Sequence, residues 1–402
     1  MIEMKRRILL ALLVLTAALS AMADALTDFR ESRAINTPQT AVLVADLKSG
    51  EELVSLNAST PLIPASIMKS VTVATLLDKV GHDFRYVTPV YVTGKVRDGI
   101  LDGNIVVEAS GDPSMNTRHD PGSDDIISEI VDALKAAHIS QVNGTVIIDE
   151  SGYPGPAVNP TWASGDLAHA YGTGTHGFNF EDNASGSRSV ANPSAVFRIR
   201  LRNALSREGI KIGDAEVSVR GHRQRLGEHR SATVDEIMRS CMMRSDNQFA
   251  EAMLRTVGEK YGHEGSTATG AAKETEYWRR HKAAMDDVRI VDGSGLSRSN
   301  RVTANFMADV LRHMHKNPYY ASFFPLAGQE GTLKRFLSGT PLEGMIALKT
   351  GSMNGIQCYA GYKLDEQYAP THLVVVIMNG MADRASARRE VERLLLRTFG
   401  GE

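Results

Sequence analysis

The stretch "PASIMKS" (64–70) sets Ser66 and Lys69 three residues apart, directly behind Pro64 and Ala65. Residues i and i+3 share one face of a helix, so the hydroxyl and the amine can meet. A hydroxyl is a poor nucleophile until a base takes its proton, and a neutral lysine can act as that base. The alternative is an ordinary helix start with a solvated lysine, because Ser-x-x-Lys is common by chance. The rest of the chain has to decide.

Two further stretches bear on the choice. "RSDNQF" holds Ser245-Asp246-Asn247 between two helical patterns, and "LKTGS" holds Lys349-Thr350-Gly351 at the end of an apolar strand. Each is weak alone. Ser-x-Asn recurs at Ser55, Ser114 and Ser352, and Lys48-Ser49-Gly50 imitates the third motif. Ser245 reads equally as the cap of the helix it precedes, with Gln248 completing a capping box. Lys349 reads equally as a strand-end surface charge. Only one combination keeps the order Ser-x-x-Lys, Ser-x-Asn, Lys-Thr-Gly while opening a helix with the first motif and ending a strand with the third.

The chain has 402 residues, enough for two domains or one large domain with an insertion. Its 42% hydrophobic and 23% charged content is that of a water-soluble globular protein. Net charge is −2 with no block of like charges, so nothing points to nucleic acid, while peripheral membrane contact stays open. No His-x-x-x-His or Cys-x-x-Cys cluster is present, so neither a metal nor another cofactor is expected. Lys5, Arg6 and Arg7 precede an apolar run from Ile8 to Leu19, followed by Ala21-Met22-Ala23. That order is a signal peptide, 1–23, and it implies an exported, periplasmic protein. Cys241 and Cys358 are expected to be buried free thiols rather than a disulfide framework.

"TAVLVADLKSGEELVSLN" (40–57) reads as two strands around a turn at Lys48-Ser49-Gly50, and the helix bearing Ser66 follows. From about Arg85 the pattern changes. "VTPVYVTGKV", "NIVVEAS" and "GTVIIDE" are strand-like, with the helix "DDIISEIVDALKAAH" between the last two. A Gly/Pro/Asn-rich region (151–193), a helix at "PSAVFRIRLRNALSREG" and a strand at "AEVSVRG" come next. From about Gln224 to Tyr261 the chain reads as helical. "GMIALKTG", "IQCYAGYKLD" and "THLVVVIMNG" read as three antiparallel strands, closed by a helix from about Arg384. The expected fold class is therefore α/β and multi-domain. One antiparallel sheet flanked by helices would be assembled from 24–84 and 225–402, with a smaller α/β domain inserted at 85–224.

These motifs, with "PLIPASIMKS" (61–70), "GDPSM" (111–115), "SDNQFAEAML" (245–254), "VDGSGLSR" (291–298) and "KTGSMNG" (349–355), resemble the D-alanyl-D-alanine carboxypeptidases of the peptidase S13 type. The blocks span most of the chain beyond residue 23. The long stretch from Ser66 to Ser245 fits that family's insertion rather than a class A β-lactamase. The direct passage from "GFNFEDN" (177–183) to "NPSAVF" (192–197) implies that a second inserted module is missing.

The resemblance implies a DD-peptidase fold and an acyl-enzyme mechanism on peptidoglycan stem peptides, with β-lactams as covalent inhibitors. It implies Ser66 as nucleophile, Lys69 as base (neutralised by nearby Lys349 and partial burial), and Ser245 as the proton relay to the leaving amine. Asn247 would hold Lys69 and the substrate backbone. Backbone N–H groups of Ser66 and Ser352 would form the oxyanion hole. Lys349, Thr350 and Ser352 would take the terminal carboxylate, and Gly351 would let substrate approach the strand edge closely. In "WASGDLAHAY" (162–171), Trp162, Asp166 and Tyr171 resemble the segment reaching the substrate's long side chain, with Asp166 placed to bind a distal amine; Gly165 stands where a polar residue is expected. Asp112 reads as a turn cap and "DGSGLSR" as a loop. None of the twelve histidines has a pattern requiring catalysis. A non-catalytic penicillin-binding receptor and a β-lactamase-like hydrolase are the rival readings; the latter lacks a Glu-x-x-Leu-Asn stretch between Ser66 and Ser245.

Overall fold

The computed structural model describes residues 24–119, 125–219, 221 and 223–400. The signal peptide expected at 1–23 lies outside the described residues. The unit that carries the three motifs runs, in chain order, through β1 (Thr40–Asp46), β2 (Glu52–Leu56) and α1 (Met68–Val80). After the insertion it continues through α2 (Val234–Arg244), α3 (Asn247–Gly262), α4 (Thr267–Arg280) and α5 (Ala304–Met314). It closes with β3 (Ile346–Met353), β4 (Ile356–Leu364), β5 (Pro370–Asn379) and α6 (Arg384–Phe399).

A lone hairpin such as β1–β2 is at best marginally stable in water. Here β1 pairs antiparallel with β5 over its full length, from Thr40 opposite Met378 to Asp46 opposite His372. The result is one five-stranded sheet in the order β3-β4-β5-β1-β2, joining the two ends of the chain. Both faces are covered, which explains the unbroken apolar run of β1. Ala41, Leu43 and Ala45 join the core beneath the helical layer. Val42 and Val44 face the opposite core, with Ala387, Val391 and Leu395 of α6. Helix α1 is buried continuously from Met68 to Leu77 and passes through the middle of the helical layer, as a helix without a strong polar stripe must.

Among the described residues the insertion carries two four-stranded sheets and a two-stranded ribbon, Ala184–Ser185 with Arg188–Ser189. One has the strand order 224–230, 87–92, 105–108, 146–149. The other joins strands 211–212, 141–142, 100–102 and 95–97. Helices Ile126–Ala136 and Pro193–Arg207 pack on them around Ile130, Phe178, Phe197 and Leu201. The fully buried Arg255 of α3 donates to the carbonyls of Tyr153, Pro154, Thr175 and Gly265, fastening the insertion to the helical layer.

Two local expectations fail here. "AEVSVRG" is not a strand in its described residues 215–219, and Gln224–Arg230, expected to start a helix, is a strand paired with Val87–Val92. The segment "QRLGEHR" has no apolar alternation to announce a strand, and its register comes from its partner, so long-range pairing overrides local pattern. The boundary expected at 225 therefore falls inside the insertion's sheet. The helical layer resumes only at α2, capped by Thr233 and Glu236 in a reciprocal box.

Cys241 and Cys358 are buried and unpaired. Asp112 accepts from the backbone N–H and hydroxyl of Ser114, a turn cap. Among the described residues, no helix is long and apolar enough to cross a membrane.

Candidate active site

Ser66 sits in a short 3-10 turn, Ala65–Ile67, that leads directly into α1. Ala65 before it takes the left-handed region, φ 47, an uncommon state for a residue with a Cβ. The turn is locked from two sides. A Cβ on Gly295 (φ +80) would fall 1.8 Å from the Ala65 carbonyl. A Cβ on Gly351 would lie 2.7 Å from the Pro64 carbonyl and 3.0 Å from the Ser66 nitrogen. Gly351 thus serves a close approach within the protein that its motif does not announce. It lets β3 press against the nucleophile's own turn, and its missing side chain faces Ser66 rather than the open edge.

Lys69 is fully buried one turn along. Its Nζ lies 3.0 Å from Ser66 Oγ, 2.6 Å from Asn247 Oδ1 and 2.7 Å from the Ser294 carbonyl. Burial pushes its pKa below the usual lysine range, opposed by Cys241, Asp246, Asp292 and Glu251. Lys349 is likewise fully buried and is held well below its usual range by burial first and by the nearby Lys69 amine second.

Ser245 does not cap α3. Asp246 does, accepting from the Phe249 N–H. Ser245 is instead the left-handed residue ending α2 (φ 61), and its hydroxyl accepts from Lys349 Nζ at 2.9 Å. Lys349 also donates to the Thr350 carbonyl at 2.8 Å. The five motif side chains therefore form two hydrogen-bonded groups, Ser66–Lys69–Asn247 and Ser245–Lys349. Among the described residues no direct bond joins the groups, but Ser66 and Ser245 line one cleft with Thr350, Ser352, Tyr359 and Arg388.

Strand β3 is a sheet edge. Its backbone at Ile346 and Leu348 turns outward, where the segment 325–327 covers it. The period of two places the N–H groups of Thr350 and Ser352 on the same side, past the end of that cover. The Ser352 hydroxyl donates to Gln357, and that of Thr350 to Thr332.

Asn247 Nδ2 donates to the Tyr171 carbonyl at 2.7 Å, which fixes Oδ1 toward Lys69. One of its two amide hydrogens is thus already used by the insertion. The Tyr171 hydroxyl in turn donates to Asp166, which among the described residues makes no hydrogen bond to a motif side chain. Trp162 is buried and donates to Asp292, inside the "DGSGLSR" loop.

That loop is more than a turn. The Ser294 carbonyl accepts from Lys69, and the loop is held by Glu251, buried on α3, which accepts from the N–H groups of Gly293 and Ser294. Burial, with Asp292 nearby, raises Glu251 to about 8. Sequence reasoning missed Ser294, Glu251 and the Tyr171 carbonyl. Only the "VDGSGLSR" block hinted at the first.

A family model described as the D-Ala-D-Ala carboxypeptidase 3 (S13) family matches residues 22–186 and 179–397. The two stretches meet where the chain passes directly from 177–183 to 192–197. The chain is 23% identical to D-alanyl-D-alanine carboxypeptidase DacB of Haemophilus influenzae, over 80% of this chain and 81% of the relative. It is 25% identical to the D-alanyl-D-alanine carboxypeptidase of an Actinomadura species, over 87% and 82%. Its fold is similar to the crystal structure of penicillin binding protein 4 (dacB) from Haemophilus influenzae. That match has TM-score 0.80 and 22% identity, and covers 92% of this chain and 98% of the other.

Proposed function

The chain belongs to the D-Ala-D-Ala carboxypeptidase 3 (S13) family and is a serine-type DD-carboxypeptidase, and we propose that its acyl-enzyme forms on Ser66 with Lys69 as general base. One observation carries this assignment. A neutral amine has two hydrogens and one lone pair. Around Lys69 Nζ stand two pure acceptors, Asn247 Oδ1 and the Ser294 carbonyl, and one hydroxyl, Ser66. The acceptors use the two hydrogens, and the lone pair is left for the Ser66 proton.

Ser66 Oγ attacks the carbonyl between two D-alanines while its proton passes to Lys69. The developing oxyanion is held by the N–H groups of Ser66 and Ser352, each such donor worth about 3–4 kcal/mol in other enzymes. Collapse expels the terminal D-alanine, whose nitrogen takes a proton through Ser245, which Lys349 orients. Water then hydrolyses the ester. An extended stem peptide pairs with the open edge of β3, with its terminal carboxylate at Thr350 and Ser352 and a distal amine toward Asp166. The same chemistry opens a β-lactam ring and leaves a penicilloyl ester on Ser66. DD-endopeptidase action uses the same steps with a longer leaving group.

We infer export to the periplasm, supported by the basic-apolar-small order of 1–23 and by a cell-wall substrate. We also infer a discontinuous catalytic domain around the insertion. The five-stranded sheet supports it, with strand 224–230 counted in the insertion. The assay is release of free D-alanine from a stem pentapeptide. Stoichiometric release by the wild type, lost in Ser66→Ala, is expected; penicillin acylation without any release would overturn the peptidase reading.

A further inference from the structure

On the face of the helical layer carrying the C-terminal end of α1, three helix ends meet. Asp78 lies in the last turn of α1, His281 caps the C-terminus of α4, and His313 lies in the last turn of α5. One ligand atom from each falls within 4.8 Å of the others. We propose that Asp78, His281 and His313 bind one divalent transition-metal ion, with zinc the best chemical match.

Four observations support the assignment. Two imidazoles and one carboxylate are a donor set suited to zinc. All three side chains stand at helix C-termini, where the aligned carbonyls favour positive charge. The groups do not satisfy one another: among the described residues no ion pair joins Asp78 to either imidazole. The neighbouring Lys79 lies over the Tyr261 ring.

The fourth observation is Tyr277, which orders the whole set as an outer partner does around a metal. Its hydroxyl donates to Asp78 Oδ2 at 2.6 Å and lies 3.5 Å from His313 Nε2. Its carbonyl accepts from His281 Nδ1 at 2.8 Å, which leaves Nε2 of His281 with its lone pair outward. Zinc bonds of about 2.0–2.2 Å bring tetrahedral ligands to about 3.4 Å of one another, so the side chains need to close by up to about 1.4 Å from the 4.8 Å limit. All three are exposed and free to do so, with water as the fourth ligand. The ion would clamp the far end of the nucleophile-bearing helix to α4 and α5. The three ligands come from three separate helices, which is why no local spacing announces them.

The test uses the full chain stripped with a chelator and titrated with zinc chloride, by calorimetry and by competition with a chromogenic chelator. One equivalent should bind and raise the Tm by a few degrees, and cobalt(II) should give the visible absorption of a tetrahedral nitrogen–oxygen site. The double variant His281→Gln/His313→Gln should lose at least 100-fold in affinity, while metal-free Tm and penicillin acylation match the wild type. Tyr277→Phe, which keeps every ligand, should weaken binding about 10–100-fold. Absence of stoichiometric zinc or cobalt binding by the wild type, or equal affinity in the double variant, overturns the proposal. If the double variant does not fold, an octahedral cobalt spectrum in the wild type overturns it just as well.

Discussion

Glu251 offers a sharp test of how the site is held together. Its carboxyl is fully buried, and one oxygen accepts from the N–H groups of Gly293 and Ser294, at 3.1 and 2.8 Å. Burial lifts its pKa from 4.5 to about 8. A raised carboxyl pKa means that the folded state holds a proton the unfolded state has lost. Its stabilising contribution is therefore complete below pH 4.5 and drains away as pH rises toward 8. For these two values the loss between pH 5.5 and 8.0 is about 3 kcal/mol. Glu251→Gln mimics the protonated form, keeps an acceptor for both N–H groups and cannot titrate. Urea unfolding followed by the fluorescence of Trp278, buried in the same core, should show the stability gap between variant and wild type widen by about 3 kcal/mol from pH 5.5 to pH 8.0, with the variant the more stable. Glu274, also raised to about 8 by burial, stays in both proteins and enters the difference only through its repulsion with Glu251. Parallel stability curves, or divergence in the opposite sense, would refute the reasoning.

Other perturbations separate the parts of the mechanism. Ser245→Ala removes the hydroxyl at 2.9 Å from Lys349 and should slow D-alanine release by about 10²–10⁴, read by steady-state kinetics, with little change in Tm. Gly351→Ala sets a methyl 2.7 Å from the Pro64 carbonyl; β3 and the nucleophile turn must separate, and acylation by a fluorescent penicillin should fall at least tenfold. Asp166→Asn should leave penicillin acylation unchanged but raise KM for stem peptides with a distal amine about tenfold or more, the scale of one charge-assisted hydrogen bond.

The sequence was most informative where function rests on side chains in short local patterns. Ser66, Lys69, Ser245, Asn247 and Lys349 sit in three triplet-scale motifs, and the apolar strands around them alternate or run clearly enough to place the sheet. It was silent where a backbone atom carries the role. The carbonyls of Ser294 and Tyr171 have no residue signature, yet one receives a hydrogen from Lys69 and the other orients Asn247. Glu251 looks like any glutamate on a helix until the fold buries it beneath a loop some forty residues away in sequence. Gln224–Arg230 reads as polar helix because its strand character is lent by Val87–Val92. Gly351 was assigned to the substrate edge, and only the packed structure shows its open side against Ser66.

The proposed mechanism rests on acylation of Ser66, activated by Lys69. Intact-mass and peptide mass spectrometry after incubation with benzylpenicillin test it most directly. One penicilloyl adduct per chain is expected on the peptide containing Ser66, long-lived because no glutamate-activated water is expected to clear it, and none in Ser66→Ala. An adduct that persists in Ser66→Ala, or one that forms on another residue, would exclude Ser66 as the nucleophile.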